Sequence, residues 1–176
     1  MAQWAYFNLV DLLLMPSPES AAENAWRPRV TVACVVVDRG RYLMVEELIR
    51  GERLFNQPAG HLDPGETLAE AARRETLEET GWEIELQSFI GVQQWLSPLH
   101  RSQIVRFAFA ARPLRHHPDR PLDAGIVGTH WLDYMQIAAL GERLRSPLVL
   151  TALHDWLGGQ RLPLTALRSL LPHAEG

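Results

Sequence analysis

Hydrophobic and polar positions along the chain fall into short blocks of two different periods. Val30 to Asp38 is β-branched and almost continuously apolar, which predicts a strand covered on both faces. Asp38-Arg39-Gly40-Arg41 is a turn signal, and Tyr42 to Val45 is expected to return as the hairpin partner. Leu54 to Gln57 reads as a further short strand ahead of Pro58-Ala59-Gly60. The period then changes. Thr67 to Thr80 is predicted as a helix with Leu68, Ala71 and Ala72 as a small-residue packing face. Thr67 and Glu70 supply a Thr-x-x-Glu capping box, Pro64-Gly65 breaks the chain before it, and Gly81 stops it. Strand patterns resume at Trp82 to Ile90 and at Ile104 to Ala111, where Ile104, Arg106 and Ala108 alternate with Val105, Phe107 and Phe109. Thr129 to Asp133 reads as a last strand. Pro147 to Leu157 reads as a helix with Leu150, Leu153 and Trp156 inward, and Pro163 to Leu171 as one more. Strands mixed with a few helices, without an internal repeat, predict an α/β layered domain.

The ends carry a different signal. Residues 1–26 read as an extension in one of two ways: a short amphipathic helix with Trp4, Phe7, Val10 and Leu14 in register, followed by a Pro16–Asn24 linker, or a stretch upstream of a start at Met15. That run is too short to span a membrane and lacks the basic start of a signal peptide. Residues 27–171 form the expected domain and 172–176 a tail. A chain of 176 residues, 47% of them apolar, can supply one core. The net charge of -4 speaks against non-specific nucleic-acid binding but not against an anionic substrate, because a bound cation reverses the local field. The single cysteine, Cys34, sits in the apolar run and reads as a buried small hydrophobe. Lack of disulfides fits a cytoplasmic protein, and no cysteine pair or His-Glu-x-x-His pattern suggests zinc.

One element breaks a local rule. Glu75, Glu78 and Glu79 lie at i, i+3 and i+4 on one face of the predicted helix. They occupy its last turns, where the macrodipole disfavours carboxylates, and like charges at this spacing repel. Each effect costs about 0.3–1 kcal/mol, and all act in one direction. A divalent cation would remove both penalties, and hard oxygen ligands select magnesium, manganese or calcium. The plain alternative is a solvated acidic helix end, partly neutralised by Arg73 and Arg74.

The spacing around the glutamates decides between them. Gly60, five residues, Glu66, seven residues, Arg74-Glu75, two residues, Glu78-Glu79, one residue, Gly81 resembles the Nudix box at every fixed position. Thr76 stands where that family has an aliphatic residue, a departure expected to cost packing but not chemistry. Val30–Val36, Asn56–Leu62, Gln94-Trp95, Arg106-Phe107, Arg145–Val149 and Gly159–Arg161 resemble a bacterial phosphatase subgroup of the same family.

This resemblance implies a Nudix α/β/α sandwich with a mixed β-sheet between helices. It implies magnesium, or manganese, held by Glu75, Glu78 and Glu79 with the backbone carbonyl of Gly60. Either Glu78 or Glu75 would serve as general base, and Arg74 would orient a glutamate. Glu66, Gly65 and Gly81 would support the motif's turns. Many relatives place a further acid in a later loop; here Gly125 stands in that place, so Asp123 reads first as a solvated aspartate and second as a ligand. Arg106 reads as a phosphate contact or a strand-edge charge. Trp95 reads as a stacking surface or a core residue, Asn56 and Gln57 as polar readers of a ring, and His61 as a substrate contact. Arg112, Arg115, His116, His117 and Arg120 read as a solvated loop before a phosphate-gathering one.

The resemblance implies hydrolysis of nucleoside di- and triphosphates and of pyrimidine (HMP-PP) or thiamin diphosphates, with release of inorganic phosphate. An ADP-sugar or dinucleotide pyrophosphatase is the nearest rival, and an RNA-end hydrolase a further one. A nucleotide-sensing module without catalysis is the alternative of another class, against which the complete glutamate set argues. The expected partner is a small-molecule diphosphate, and the protein a monomer or homodimer.

Overall fold

The computed structural model describes residues 26–98 and 102–171. The readings made for residues 1–25 and for the tail at 172–176 lie outside the described residues. Among the described residues, seven strands and three α-helices follow in chain order: β1 (Arg29–Asp38), β2 (Arg41–Ile49), β3 (Glu52–Asn56), β4 (Ala59–His61), α1 (Leu68–Thr80), β5 (Trp82–Ser97), β6 (Ser102–His116), β7 (Ile126–Leu132), α2 (Tyr134–Ala139) and α3 (Leu148–Leu157).

Strand β1 organises the sheet. It pairs parallel with β6, from Arg29 opposite Ile104 to Val36 opposite Ala111, and antiparallel with β4 through Thr31, Val32 and Ala33. Strand β5 runs antiparallel along the far side of β6. The hairpin of β1 and β2 is joined at Arg39-Gly40, both with positive φ, and keeps only two residue pairs. Beyond them β2 pairs with β3 on one side and β7 on the other. The sheet is therefore mixed, with its parallel contact between β1 and β6.

The continuous apolar run of β1 is explained by its two covered faces. Val32, Cys34 and Val36 pack with Ala71 and Ala72 of α1 and with Phe89 and Phe109. Val35 turns the other way, into a cluster with Ala108, Ala110, Ile137 of α2, and Val149, Ala152 and Leu153 of α3. The predicted α/β/α layering is thus present, and alanines on α1 let it approach the sheet closely enough for Cys34 Sγ to lie 3.5 Å from Ala72 O. Burial pushes the Cys34 thiol up to about 12, so it is inert, as its apolar surroundings predicted.

Several sequence expectations need correction. The inner side of α3 centres on Leu148, Val149, Ala152 and Leu153, whereas Leu150 and Trp156 are only partly buried. Pro163–Leu171 does not form a helix beyond a single 3₁₀ turn at Leu164–Ala166. Helix α2 was not predicted, although Asp133 and Gln136 form a capping box at its start. Strands β5 and β6 are longer than their alternating cores, because bulges along β5 let it curve while keeping its partner. Among the described residues, no helix is long and apolar enough to cross a membrane.

Candidate active site

The loop from β4 into α1 places the acidic side chains. Thr67 Oγ1 accepts from Glu70 N and Glu70 Oε2 from Thr67 N, so the capping box starts α1 where expected. Gly81 ends it with φ 69°, its N–H bonded to Leu77 O. A Cβ on Gly81 would stand 2.9 Å from His117 O, so glycine is needed for space as well as for φ. Thr76 is completely buried, and its hydroxyl donates to Ala72 O at 2.8 Å, which satisfies the polar group that replaces an aliphatic one.

On the outer side of this helix, Glu75, Glu78 and Asp123 bring carboxylate oxygens within 4.8 Å of one another. Asp123 arrives from the loop between β6 and β7, which is tied to the helix end by Asp123 N to Glu78 O and His117 N to Gly81 O. Its loop position alone did not reveal this; the tie does. Glu79 stands apart from that trio: its Oε2 accepts from Ala59 N at 2.8 Å. Burial raises the Glu79 carboxyl well above the ordinary range, with further contributions from Glu47, Glu75 and Asp123 around it. Burial also raises Glu75, opposed by Arg74.

Arg74 is the cation that holds this arrangement. Its Nη1 donates to both Glu75 Oε1 (2.9 Å) and Glu78 Oε2 (3.0 Å), and its Nη2 to His61 O. It also bonds Glu66, at 3.0 Å through Nε and 2.7 Å through Nη2, and lies 3.7 Å from Asp63 Oδ2. The Glu66 carboxyl is held below its usual range, first by the Arg74 hydrogen bond. Arg74 thus holds two glutamates and Glu66 holds Arg74, while Glu66 Oε1 also accepts from Asp63 N in the turn before α1. Gly60 is explained by the same packing: a Cβ there would fall 2.0 Å from Glu75 Cδ. Gly65, with φ 87°, supplies the turn before α1.

Beside the carboxylates opens a cavity of about 470 Å³, whose walls include Gly60, Glu75, Glu79, Trp95, Arg106 and Arg145. Arg106 is not at a strand edge. Its strand β6 lies between β1 and β5, and the side chain is almost wholly buried. Burial lowers its guanidinium to about 10, while Glu47 and Glu79 favour the charge. Asn56 and His61 also line the cavity, but Gln57 does not. Gln57 is buried, and its amide donates to Val149 O at 2.8 Å, pinning α3 to the chain before β4. It is therefore a structural tie and not a reader of a ring.

Two cavity residues were missed as site residues. Glu47 of β2 and Arg145, just before α3, pair at 3.2 Å, and both also line an adjoining cleft of about 420 Å³ together with Glu79 and Asp123. Burial raises the Glu47 carboxyl, opposed first by Arg145. Within the basic stretch after Ala111, Arg112 pairs with Glu85 and His117 with Glu83, and His116 stacks on Trp82.

A carboxylate trio where the Asp123 loop meets the end of α1, a Gly60 that admits Glu75 and an arginine ordering the set stand together on an α/β/α sandwich. Residues 27–152 match the family model described as NUDIX domain, and the chain belongs to that family as a Nudix hydrolase. It is 45% identical over 139 residues to the Escherichia coli (strain K12) protein named Phosphatase NudJ, covering 79% of this chain and 90% of that one. Among solved structures, a NUDIX hydrolase from Nitrosomonas europaea is similar with a TM-score of 0.79 at 40% identity, over 81% of this chain and 97% of that one. A UDP-X diphosphatase shares the fold, with a TM-score of 0.63 at 20% identity, over 91% of this chain and 77% of that one.

Proposed function

We propose that this hydrolase releases inorganic phosphate from nucleoside di- and triphosphates and from pyrimidine (HMP-PP) or thiamin diphosphates, using magnesium, for which manganese can substitute. The observation that carries the reading is the convergence of Glu75, Glu78 and Asp123 beside a cavity that also contains Arg106 and Trp95. The donor set fits the ion: hard carboxylate oxygens from two elements, where the one Arg74 guanidinium is shared among Glu66, Glu75 and Glu78 and leaves a net negative cluster. Glu75, Glu78 and Asp123 would hold it, with Glu79 and the Gly60 carbonyl as further ligands. When bound, the ion supplies charge neutralisation at the phosphate oxygens and acidifies water.

The chain's own groups do the rest. Either Glu78 or Glu75 takes the proton from the attacking water while the oxygen bonds to phosphorus and the anhydride P–O bond breaks. Arg74 fixes both carboxylates through one nitrogen, so the base is oriented before substrate arrives. Trp95, Asn56, His61 and Arg106 contact the organic part or its phosphates. The similarity to a protein named Phosphatase NudJ favours terminal phosphate release over cleavage of an internal linkage.

The test is phosphate release from a nucleoside diphosphate with magnesium, by the wild type and by Glu78→Gln. Release that is abolished by chelation and by the variant supports the reading. Turnover of ADP-ribose without release from the diphosphate would favour the internal-linkage pyrophosphatase. Activity that survives both removals marks a contaminating phosphatase.

A further inference from the structure

The α1 side of the sheet carries an open apolar groove. Leu62, Leu68, Leu164 and Leu167 wall a space of about 360 Å³ that reaches down to the buried Phe109. The four leucines pack against the core cluster around Phe109, yet each is only partly buried. Leu171 forms a lip that is 43% exposed. Two charged side chains border the groove. Glu66 is committed to Arg74 and to Asp63 N. Arg168 is exposed and forms no ion pair among the described residues. The groove therefore suits an apolar partner that carries one negative charge.

The chain itself contains such a partner. Residues 1–15 include Trp4, Phe7, Val10 and Leu14 at spacings of three and four, the anchor pattern of a helix laid in a groove. Asp11 is the single charged side chain among them. In a helix it stands one turn beyond Phe7 and two beyond Trp4, on the same face. The point of attachment is close by. Leu62 N donates to Val30 O at 3.2 Å, so β1 begins beside the groove wall. The intervening residues 16–24 span up to roughly 30 Å when extended, against roughly 20 Å for the whole of α1, so the reach is sufficient. Residues 172–176, at the other end of the chain, offer no large apolar side chain.

We propose that residues 1–15 dock as an amphipathic helix across this groove, with Trp4 and Phe7 inserted between the leucines and Asp11 on Arg168. Apolar insertion supplies the affinity, and the ion pair fixes which way the segment lies. The docked segment also covers Glu66, the residue that holds Arg74.

The experiment is paramagnetic broadening of backbone amide signals in the full 176-residue chain, with a nitroxide on Ser169→Cys at the groove or on Met135→Cys as a control. Cys34 is buried and unreactive, so each chain takes one label. Met135 is exposed on α2, which packs on the opposite face of the sheet. Broadening follows the docked population, so signals of residues 2–15 are expected to lose intensity at least about twofold more from Ser169→Cys than from Met135→Cys. Trp4→Ser combined with Phe7→Ser, which leaves the domain's own residues intact, is expected to abolish the difference. Arg168→Glu is expected to reduce it, and Asp11→Arg added to Arg168→Glu to restore it. Equal broadening from the two labels overturns the proposal, as does a difference that survives the loss of Trp4 and Phe7 or is not restored by the charge exchange. Broadening that arises only between an isotope-labelled chain and a separate spin-labelled one also overturns it, and assigns the groove to a second copy.

Discussion

Gly60 has no room for a side chain, because the carboxyl of Glu75 fills the place where its Cβ would stand. Gly60→Ala must displace Glu75, and turnover is expected to fall at least about tenfold with little change in the far core, a comparison made by steady-state kinetics beside thermal melting. Glu66 acts one contact further out. Its folded pKa is depressed by Arg74, so its contribution to stability is present above the ordinary carboxylate range and is lost as pH falls through the depressed value. Glu66→Gln should therefore cost about 1–3 kcal/mol near neutrality, and the gap to wild type should shrink in denaturant titrations repeated at lower pH. The box residues were legible because their spacing is fixed by one helix and the loop before it. Asp123, Glu47 and Arg145 were not, because three separate elements bring them there: the loop after β6, the middle of β2, and the residues leading into α3. Gln57 lay beside the motif and was read as a ring contact, yet its amide is already committed to Val149 O.

At the level of elements, α1 owes its position to its ends. Its last turn is acidic and lacks any basic residue, so the dipole is opposed there, and the capping box carries the start. Thr67→Ala is expected to cost about 1 kcal/mol in equilibrium unfolding. Gly81→Ala should cost more, since it combines a positive φ with a contact on His117 O, and it should also loosen the loop that brings Asp123. Hydrogen exchange of the Asp123 amide, which is bonded to Glu78 O, would report that loosening directly. Capping chemistry made α1 readable from its sequence. The same chemistry at Asp133 and Gln136 was available for α2 and passed over, because a six-residue helix shows too little periodicity to draw attention. Pro163 to Leu171 had apolar spacing without a cap, and it follows the protein surface with a single 3₁₀ turn.

The whole molecule places two chemistries at one end of a mixed sheet. The β1–β6 parallel pairing joins residues far apart in sequence and sets Thr31 beside Arg106, while β2 leaves the hairpin to carry Glu47 between β3 and β7. Layering and the apolar character of β1 could be read from the chain; this register could not, because no local signal states which strands become neighbours. The consequence is a carboxylate cluster from α1 and the Asp123 loop, standing against a polar-walled cavity built by the sheet. The central claim is that the carboxylates converge in order to hold a divalent ion. Calorimetric titration of manganese into the wild type and into the Glu75→Gln/Glu78→Gln double variant tests it most directly. Saturable binding by the wild type, weakened at least about tenfold in a double variant that melts normally, is the predicted result. Equal affinity in the two proteins, or no binding by the wild type at millimolar metal, would contradict it.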